Sequence, residues 1–176
     1  FWSPATNRRD DEWGGDFERR LRFPLAVLRA VRAAVGPEFV VGVRMAVDED
    51  HPEGLRAEDG MEVARRLVEE GIDFISVVKG RLHDDESLSK VIPPMGTPSA
   101  PHLPLAGEVR RKLGVPVMHA GRIPDLATAR YAVREGLLDL VGMTRAHIAD
   151  PYIVRRIQAG QEDRIRPCVG AGYCID

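Results

Sequence analysis

The sequence predicts a parallel α/β fold built from repeated strand–helix units. Four short apolar runs rich in Val, Ile and Met alternate with helical patterns along the 176 residues. The runs are continuous rather than alternating, which is typical of parallel strands buried on both faces. Four such units are enough for half of a (β/α)8 barrel, and they are also enough for a four-stranded doubly wound sheet. Their spacing fits both architectures.

Four strands are predicted, at residues 39–47, 74–80, 115–121 and 138–145. Helical patterns precede and follow them. The first pattern ends at Gly36, and Pro24 within it predicts a kink or a late start. A later helix ends at Gly114. Asp125 is placed to cap the next helix, and Asp150, followed by proline, to open the last.

Composition and charge exclude several classes of protein. There are 25 basic and 27 acidic residues and no basic run, so we expect no nucleic-acid partner. No apolar stretch approaches the ~20 residues of a membrane span, so we expect no membrane partner. Only two cysteines are present, which argues against a disulfide scaffold and predicts a reducing, cytoplasmic compartment.

Polar residues gather where the predicted strands end, and parallel α/β folds bind their ligands there. Gly121 and Arg122 lie at the end of the third predicted strand, and Thr144 and Arg145 lie at the end of the fourth. Glycine lets a backbone approach a phosphate closely, and guanidinium groups bind phosphate through charge-assisted hydrogen bonds. Surface ion pairing is the alternative for both arginines, and the residues alone leave the two interpretations open.

Other charged residues also have two interpretations each. Arg44 lies within the first apolar strand, where it forms a buried ion pair or faces an electron-rich ligand. His83 and Asp84 begin the segment "HDDE" after the second strand, which suits acid/base chemistry, metal binding or a solvated loop. His102 and His119 are acid/base candidates or structural hydrogen-bonding groups.

Long motifs at both ends of the chain resemble the Old Yellow Enzyme family of FMN barrels. The N-terminal segment "FWSPATNRRDDEWGGDFERRLRF" matches the segment that follows strand four in that family, with Asp16 where serine is usual. The segments "HAGRI", "VGMTRAHIADP" and "RPCVGAGYC" resemble the trimethylamine dehydrogenase and 2,4-dienoyl-CoA reductase branch, and the N-methylproline demethylases most closely. The resemblance covers essentially the whole chain.

The resemblance implies a TIM barrel fragment covering about strands five to eight. Residues 1–160 would form the C-terminal half of an FMN-binding barrel, and residues 161–176 the start of a cysteine-bearing loop. It implies that Arg44 faces the flavin ring, where a cation stabilises negative charge. It also implies that four residues bind the FMN phosphate: Gly121, Arg122, Thr144 and Arg145. Because a half-barrel exposes sheet edges, we expect it to self-associate into a homo-oligomer.

The two cysteines fall where the branch carries an iron–sulfur motif. A C-x2-C-x2-C run and a later cysteine hold a 4Fe–4S cluster there. Cys168 and Cys174 match the first and third ligands, whereas Ala171 occupies the middle position. The resemblance therefore implies metal-binding roles for both cysteines, with the fourth ligand beyond residue 176. The alternatives are an altered or lost cluster, two inert thiols, or a redox pair.

The activity that the resemblance implies is oxidative N-demethylation of a small amine or N-methyl amino acid. A hydride would pass to flavin N5, and the resulting imine would hydrolyse to formaldehyde. His83 or Asp84 would be the catalytic residue after strand six of the barrel. The alternatives are an NAD(P)H-dependent reductase of enoates or enoyl thioesters, a flavin-free phosphate-binding barrel, and an inactive folded fragment.

Overall fold

The computed structural model describes residues 1–175, in which four parallel strands form one sheet. The strands are β1 (Gly42–Asp48), β2 (Phe74–Lys79), β3 (Val117–His119) and β4 (Leu140–Val141). Each strand pairs with its neighbour in the chain, in the order β1-β2-β3-β4. A doubly wound sheet reverses its strand order at a switch point, and this sheet has no such point. The sequential order is that of a half-barrel.

Helices connect and flank the strands. Within the described residues they are α1 (Phe17–Val35), α2 (Ala57–Glu69), α3 (Asp85–Val91), α4 (Leu103–Leu113), α5 (Leu126–Arg134), α6 (Thr144–Ala149) and α7 (Ile153–Gln158). A short 3-10 turn, Glu162–Arg164, leads into the cysteine loop. In residues 1–175 no helix combines the length and apolarity that crossing a membrane requires.

The first helix begins earlier than Pro24 suggests. Asp16 caps α1, and its side chain accepts a hydrogen bond of 2.9 Å from the backbone N–H of Arg19. Pro24 lies well inside the helix, so the predicted late start is wrong. Aspartate accepts this hydrogen bond as serine does, which explains why Asp16 can stand where the related motif has serine.

The helices cover the outer face of the sheet. Met45, Val77 and His119 are aligned on this face by the strand register, and all three are buried. Helix α2 approaches β1 so closely that a Cβ atom on Gly60 would lie 1.9 Å from the carbonyl oxygen of Val47. This packing fixes β1, and with it the direction of the side chains on the inner face.

The inner face of the sheet carries a row of four residues in register, Arg44, Ser76, Met118 and Leu140. Arg44 and Leu140, at the two ends of the row, are exposed. Arg44 is therefore not the buried ion-pair partner that one interpretation of the sequence proposed. It projects from the face that would line the lumen of a complete barrel.

Candidate functional site

A cleft of about 230 Å³ opens at the carboxyl ends of the strands. We call it the arginine cleft, because Arg44, Arg122 and Arg145 line it. Every residue that the resemblance assigned to flavin or to metal contributes to its wall: Arg44, Gly121, Arg122, Thr144, Arg145, Cys168 and Cys174. The half-barrel topology thus brings together residues that are more than a hundred positions apart in the chain.

The arginine cleft is strongly cationic. No Asp or Glu of residues 1–175 lines it. Within the same residues, Arg44, Arg122 and Arg145 form no ion pair with a carboxylate. Three guanidinium groups without a carboxylate partner attract an anion, and phosphate suits their planar donor geometry.

Two of these arginines are held by backbone carbonyls rather than by carboxylates. Nε of Arg122 donates to the carbonyl oxygen of Thr97 at 2.7 Å, and Nη1 of Arg145 donates to that of Pro93 at 3.0 Å. The N–H of Ala100 in turn donates to the carbonyl of Arg122 at 2.7 Å. The segment 93–100 therefore forms a rim that orients both side chains while it leaves their charge uncompensated.

His119 supports the loop that follows β3 from beneath. Its ring is 2% exposed, and Nδ1–H donates to the carbonyl oxygen of Val77 at 2.8 Å. Nε2 is buried and has no partner within residues 1–175. A Cβ on Gly121 would lie 2.6 Å from this atom. The ring therefore fills the space beneath Gly121, and of its two interpretations the geometry favours structural hydrogen bonding over acid/base chemistry.

The environment of His119 opposes its protonation. Burial lowers its pKa most, and the nearby His102 ring and the Arg44 charge lower it further. The hydrogen bond with the Val77 backbone acts in the opposite direction but is outweighed. His119 is therefore neutral over a wider pH range than an exposed histidine.

His83 and Asp84 lie outside the arginine cleft. Both are exposed, and neither belongs to its wall. Asp84 caps α3, accepting hydrogen bonds from the backbone N–H and the hydroxyl of Ser87 at 2.8 and 2.7 Å, which lower its pKa. Aspartate directly before two acidic residues at the start of a helix was a capping signal that the sequence interpretation missed. The catalytic roles of both residues stay predictions.

Lysines pair with two aspartates at the carboxyl end of β1. Nζ of Lys79 lies 3.1 Å from Asp48 and 3.7 Å from Asp50, and Nζ of Lys90 lies 3.1 Å from Asp50. The hydrogen bond with Lys90 is the main reason that the pKa of Asp50 is lowered. These ion pairs link the loop after β1 to α3 at the mouth of the half-barrel.

The cysteine loop, residues 165–175, forms one wall of the arginine cleft. Cys168 is half-buried and Cys174 is exposed. Within residues 1–175 no group of three or more His, Cys, Asp or Glu side chains is placed to hold a metal ion. Ala171 has no ligating atom, so the described part of the loop supplies at most two of the four thiolates of a 4Fe–4S cluster. The described residues alone do not fit that cluster, and the metal-binding roles stay predictions.

Comparison with known proteins extends these observations. The profile of the NADH:flavin oxidoreductase / NADH oxidase family matches residues 1–164. The chain is 49% identical over 177 residues to a "Probable N-methylproline demethylase" of Rhizobium meliloti. The aligned region covers 100% of this chain and 26% of that protein. It is 51% identical over 177 residues to an N,N-dimethylglycine/sarcosine dehydrogenase of Chromohalobacter salexigens, again over 100% and 26%.

A solved structure shares the same fold. A complex of 2-naphthoyl-CoA reductase superposes with a TM-score of 0.88 at 28% identity, over 97% of this chain and 26% of that one. The chain thus spans about a quarter of the length of the curated relatives and of this solved structure. The family profile matches most of the chain, and the sequential strand order is that of a TIM barrel. The chain belongs to the NADH:flavin oxidoreductase / NADH oxidase family of TIM-barrel flavoenzymes.

Proposed function

We propose that the chain is part of an FMN-dependent enzyme that oxidatively N-demethylates a small amine or an N-methyl amino acid. The observation that carries the proposal is the arginine cleft, in which three unpaired guanidinium groups meet at the carboxyl ends of the strands. The names of the two curated relatives, one a demethylase and one a dehydrogenase of N-methylated glycines, support this substrate class.

The residues of the cleft fit a flavin mononucleotide. Arg122 and Arg145 would bind the phosphate, and the backbone at Gly121 would approach it without a side chain in the way. Arg44 projects from the inner face of the sheet, where its charge would stabilise negative charge on the ring system. When bound, FMN supplies a hydride acceptor at its N5 atom. The chain's own contribution is to bind and orient the cofactor.

The proposed substrate reaction consumes one water molecule and needs one two-electron oxidant, the bound FMN, which would accept the hydride. A hydride leaves an N-methyl carbon, and the nitrogen lone pair forms a C=N bond to that carbon. Water then adds to the carbon, the C–N bond breaks, and formaldehyde and the demethylated amine are released. His83 is the acid/base group in this proposal, because it follows β2 and no hydrogen bond within residues 1–175 engages its ring, whereas Asp84 is occupied as a helix cap.

The proposal is tested by purifying the full-length protein and recording its visible spectrum. We expect flavin absorption bands and formaldehyde release from sarcosine, N,N-dimethylglycine or N-methylproline with bleaching of the flavin. A colourless protein that does not take up added FMN would contradict the proposal and favour a flavin-free barrel or an inactive fragment.

An alternative within the same family is an NAD(P)H-dependent reductase of enoates or enoyl thioesters. The structural similarity to 2-naphthoyl-CoA reductase favours it. Reduction of the flavin by NADH, followed by reoxidation with an α,β-unsaturated thioester and no formaldehyde from N-methyl substrates, would identify this alternative.

A further inference from the structure

The cysteine loop makes a contact within the arginine cleft that only glycine allows. Gly170, between the two cysteines, is buried and has a φ of +75°. A Cβ atom at this position would lie 2.2 Å from Nη1 of Arg122 and 3.2 Å from the backbone nitrogen of Met95. The carbonyl oxygen of Gly170 accepts a hydrogen bond of 2.7 Å from the Met95 N–H. The guanidinium of Arg122 thus packs directly on the backbone of the loop.

Arg122 has little freedom on its other sides. Its φ is +48°, its Nε is bonded to the carbonyl of Thr97, and its own carbonyl is bonded to the N–H of Ala100. The guanidinium therefore lies between the rim segment 93–100 and Gly170, and it lines the cleft from there. Two backbone segments confine it, and neither contributes a carboxylate that would neutralise it.

We propose that Gly170 is a positioning residue for a phosphomonoester site, because the cysteine loop places Arg122 where it binds the phosphate of the cofactor. This inference rests on the proposed FMN binding. It gives the loop a role that does not depend on a metal: its backbone forms the wall against which the phosphate-binding guanidinium is held. A methyl group at residue 170 would displace the guanidinium from that wall.

A second glycine of the same loop is a matched control. Gly172 has a φ of +94°, and a Cβ atom there would meet nothing within 4 Å. Gly172→Ala and Gly170→Ala therefore impose the same kind of left-handed backbone strain. Only Gly170→Ala also pushes against Arg122.

The test compares the two variants in the full-length protein. Dissociation constants for FMN and for riboflavin, which lacks the phosphate, are measured by quenching of flavin fluorescence. We expect Gly170→Ala to weaken FMN binding by about tenfold or more, since a charge-assisted hydrogen bond to the phosphate is lost. Riboflavin binding should be unchanged, and Gly172→Ala should leave the affinity for both ligands unchanged.

The double variant Arg122→Ala/Gly170→Ala tests whether the effect passes through Arg122. Once the guanidinium is removed, the methyl group no longer meets it and keeps only the 3.2 Å contact with the Met95 nitrogen, so the double variant should bind FMN as Arg122→Ala alone does. It should also melt at a higher temperature than Gly170→Ala, which keeps the test usable if the single variant folds poorly.

Three results would overturn the inference. They are equal weakening of FMN by both glycine variants, equal weakening of FMN and riboflavin by Gly170→Ala, or a further loss of FMN affinity when Gly170→Ala is added to Arg122→Ala. A wild-type protein that binds no FMN would instead overturn the proposed function on which the inference rests.

Discussion

At the scale of single residues, the chain uses His119 as a buried neutral support. The ring donates a hydrogen bond to the Val77 carbonyl and fills the space under Gly121. It therefore packs against the start of the loop that lines the cleft. A support of this kind fails when it must take up a proton, because the charge would be buried beside Arg44 and His102.

We expect stability to depend on the charge state of His119. The pKa of His119 in the folded chain lies below the ordinary value of 6.5. Just below about pH 6.5, His119 is therefore protonated in the unfolded chain but still neutral in the folded chain. The free energy of unfolding should therefore fall as the pH drops through this value. His119→Asn, which keeps a donor for the Val77 carbonyl, should flatten the dependence.

Urea unfolding of both proteins between pH 8 and pH 5 measures this difference. Parallel curves for wild type and His119→Asn over the whole range would show that His119 does not titrate differently on folding.

Sequence reasoning located candidate site residues best where a strand end fixed their position. The strand ends placed Gly121, Arg122 and Arg145 at one edge of the sheet, because parallel strands all end there, and all three line the arginine cleft. Their binding roles stay predictions. Asp84 was harder to interpret, since a carboxylate after a strand serves equally well as a ligand and as a helix cap. The hydrogen bonds to Ser87 that distinguish the two roles depend on α3, which the sequence did not predict.

At the scale of elements, one buried carboxylate anchors the base of the cysteine loop. Asp150, between α6 and α7, is 1% exposed. It accepts hydrogen bonds of 3.0 Å from the backbone N–H groups of Tyr152 and Arg166 and forms an ion pair of 3.1 Å with Arg156. The hydrogen bond from Arg166 is the main reason that the pKa of this carboxyl is lowered. The anchor is present above the ordinary aspartate pKa and is lost as the pH falls through the lowered one.

We expect Asp150→Asn to loosen the cysteine loop without unfolding the half-barrel. The amide keeps one acceptor but turns an N–H2 group toward one of the donors, so a buried hydrogen bond is lost. Hydrogen exchange followed by mass spectrometry should show about tenfold faster exchange in residues 166–175.

Asp163→Asn, an exposed change in the adjacent turn, is the control and should leave exchange unchanged. If exchange in the loop is equally fast in wild type and in Asp150→Asn, another contact anchors the loop.

The short helices show the limits of prediction from periodicity. The long helices α1 and α4 were predicted from helical patterns that end at Gly36 and Gly114, and α5 was predicted from its cap at Asp125. Helices α3 and α6, of 7 and 6 residues, are too short to show a full apolar period. Lys90 of α3 pairs with Asp50, and Arg145 of α6 donates to the carbonyl of Pro93. Contacts of this kind between distant segments are not visible in local sequence.

At the scale of the whole molecule, the half-barrel leaves both edges of its sheet open. In residues 1–175, β1 and β4 each pair on one side only. An apolar groove lies beside β1, and Phe1, Phe23, Val27, Val31 and Val43 are among the residues lining it. Open strand edges flanked by apolar surface favour association with another chain.

We expect the 176-residue chain on its own to self-associate. Sedimentation velocity at increasing protein concentration should show a shift from monomer to dimer or larger species. Val27→Lys, which places a charge in the groove, should restore the monomer. Val154→Lys changes a similarly exposed valine outside the groove and should leave association unchanged. A monomer at every concentration would show that the open edges do not pair.

The architecture as a whole followed from the order of apolar runs, but the choice between half-barrel and doubly wound sheet did not. Both contain the same strand–helix units, but they differ in strand order and in whether the helices cover one face of the sheet or both. That difference is decided by how the helices pack on the sheet, as in the close approach of α2 to β1 at Gly60. The motif resemblance, rather than the periodicity, carried the correct choice.

The sequential strand order has a consequence for synthesis on the ribosome. Each of the strands β2, β3 and β4 can pair with the strand completed just before it, so none of these three waits for a partner that is translated later. Short sequence separation between pairing segments speeds folding, because little chain entropy is lost on closing each contact. The growing chain should therefore become ordered from β1 toward β4. The cysteine loop packs on segments from three different units, so it should be the last part of the chain to fold.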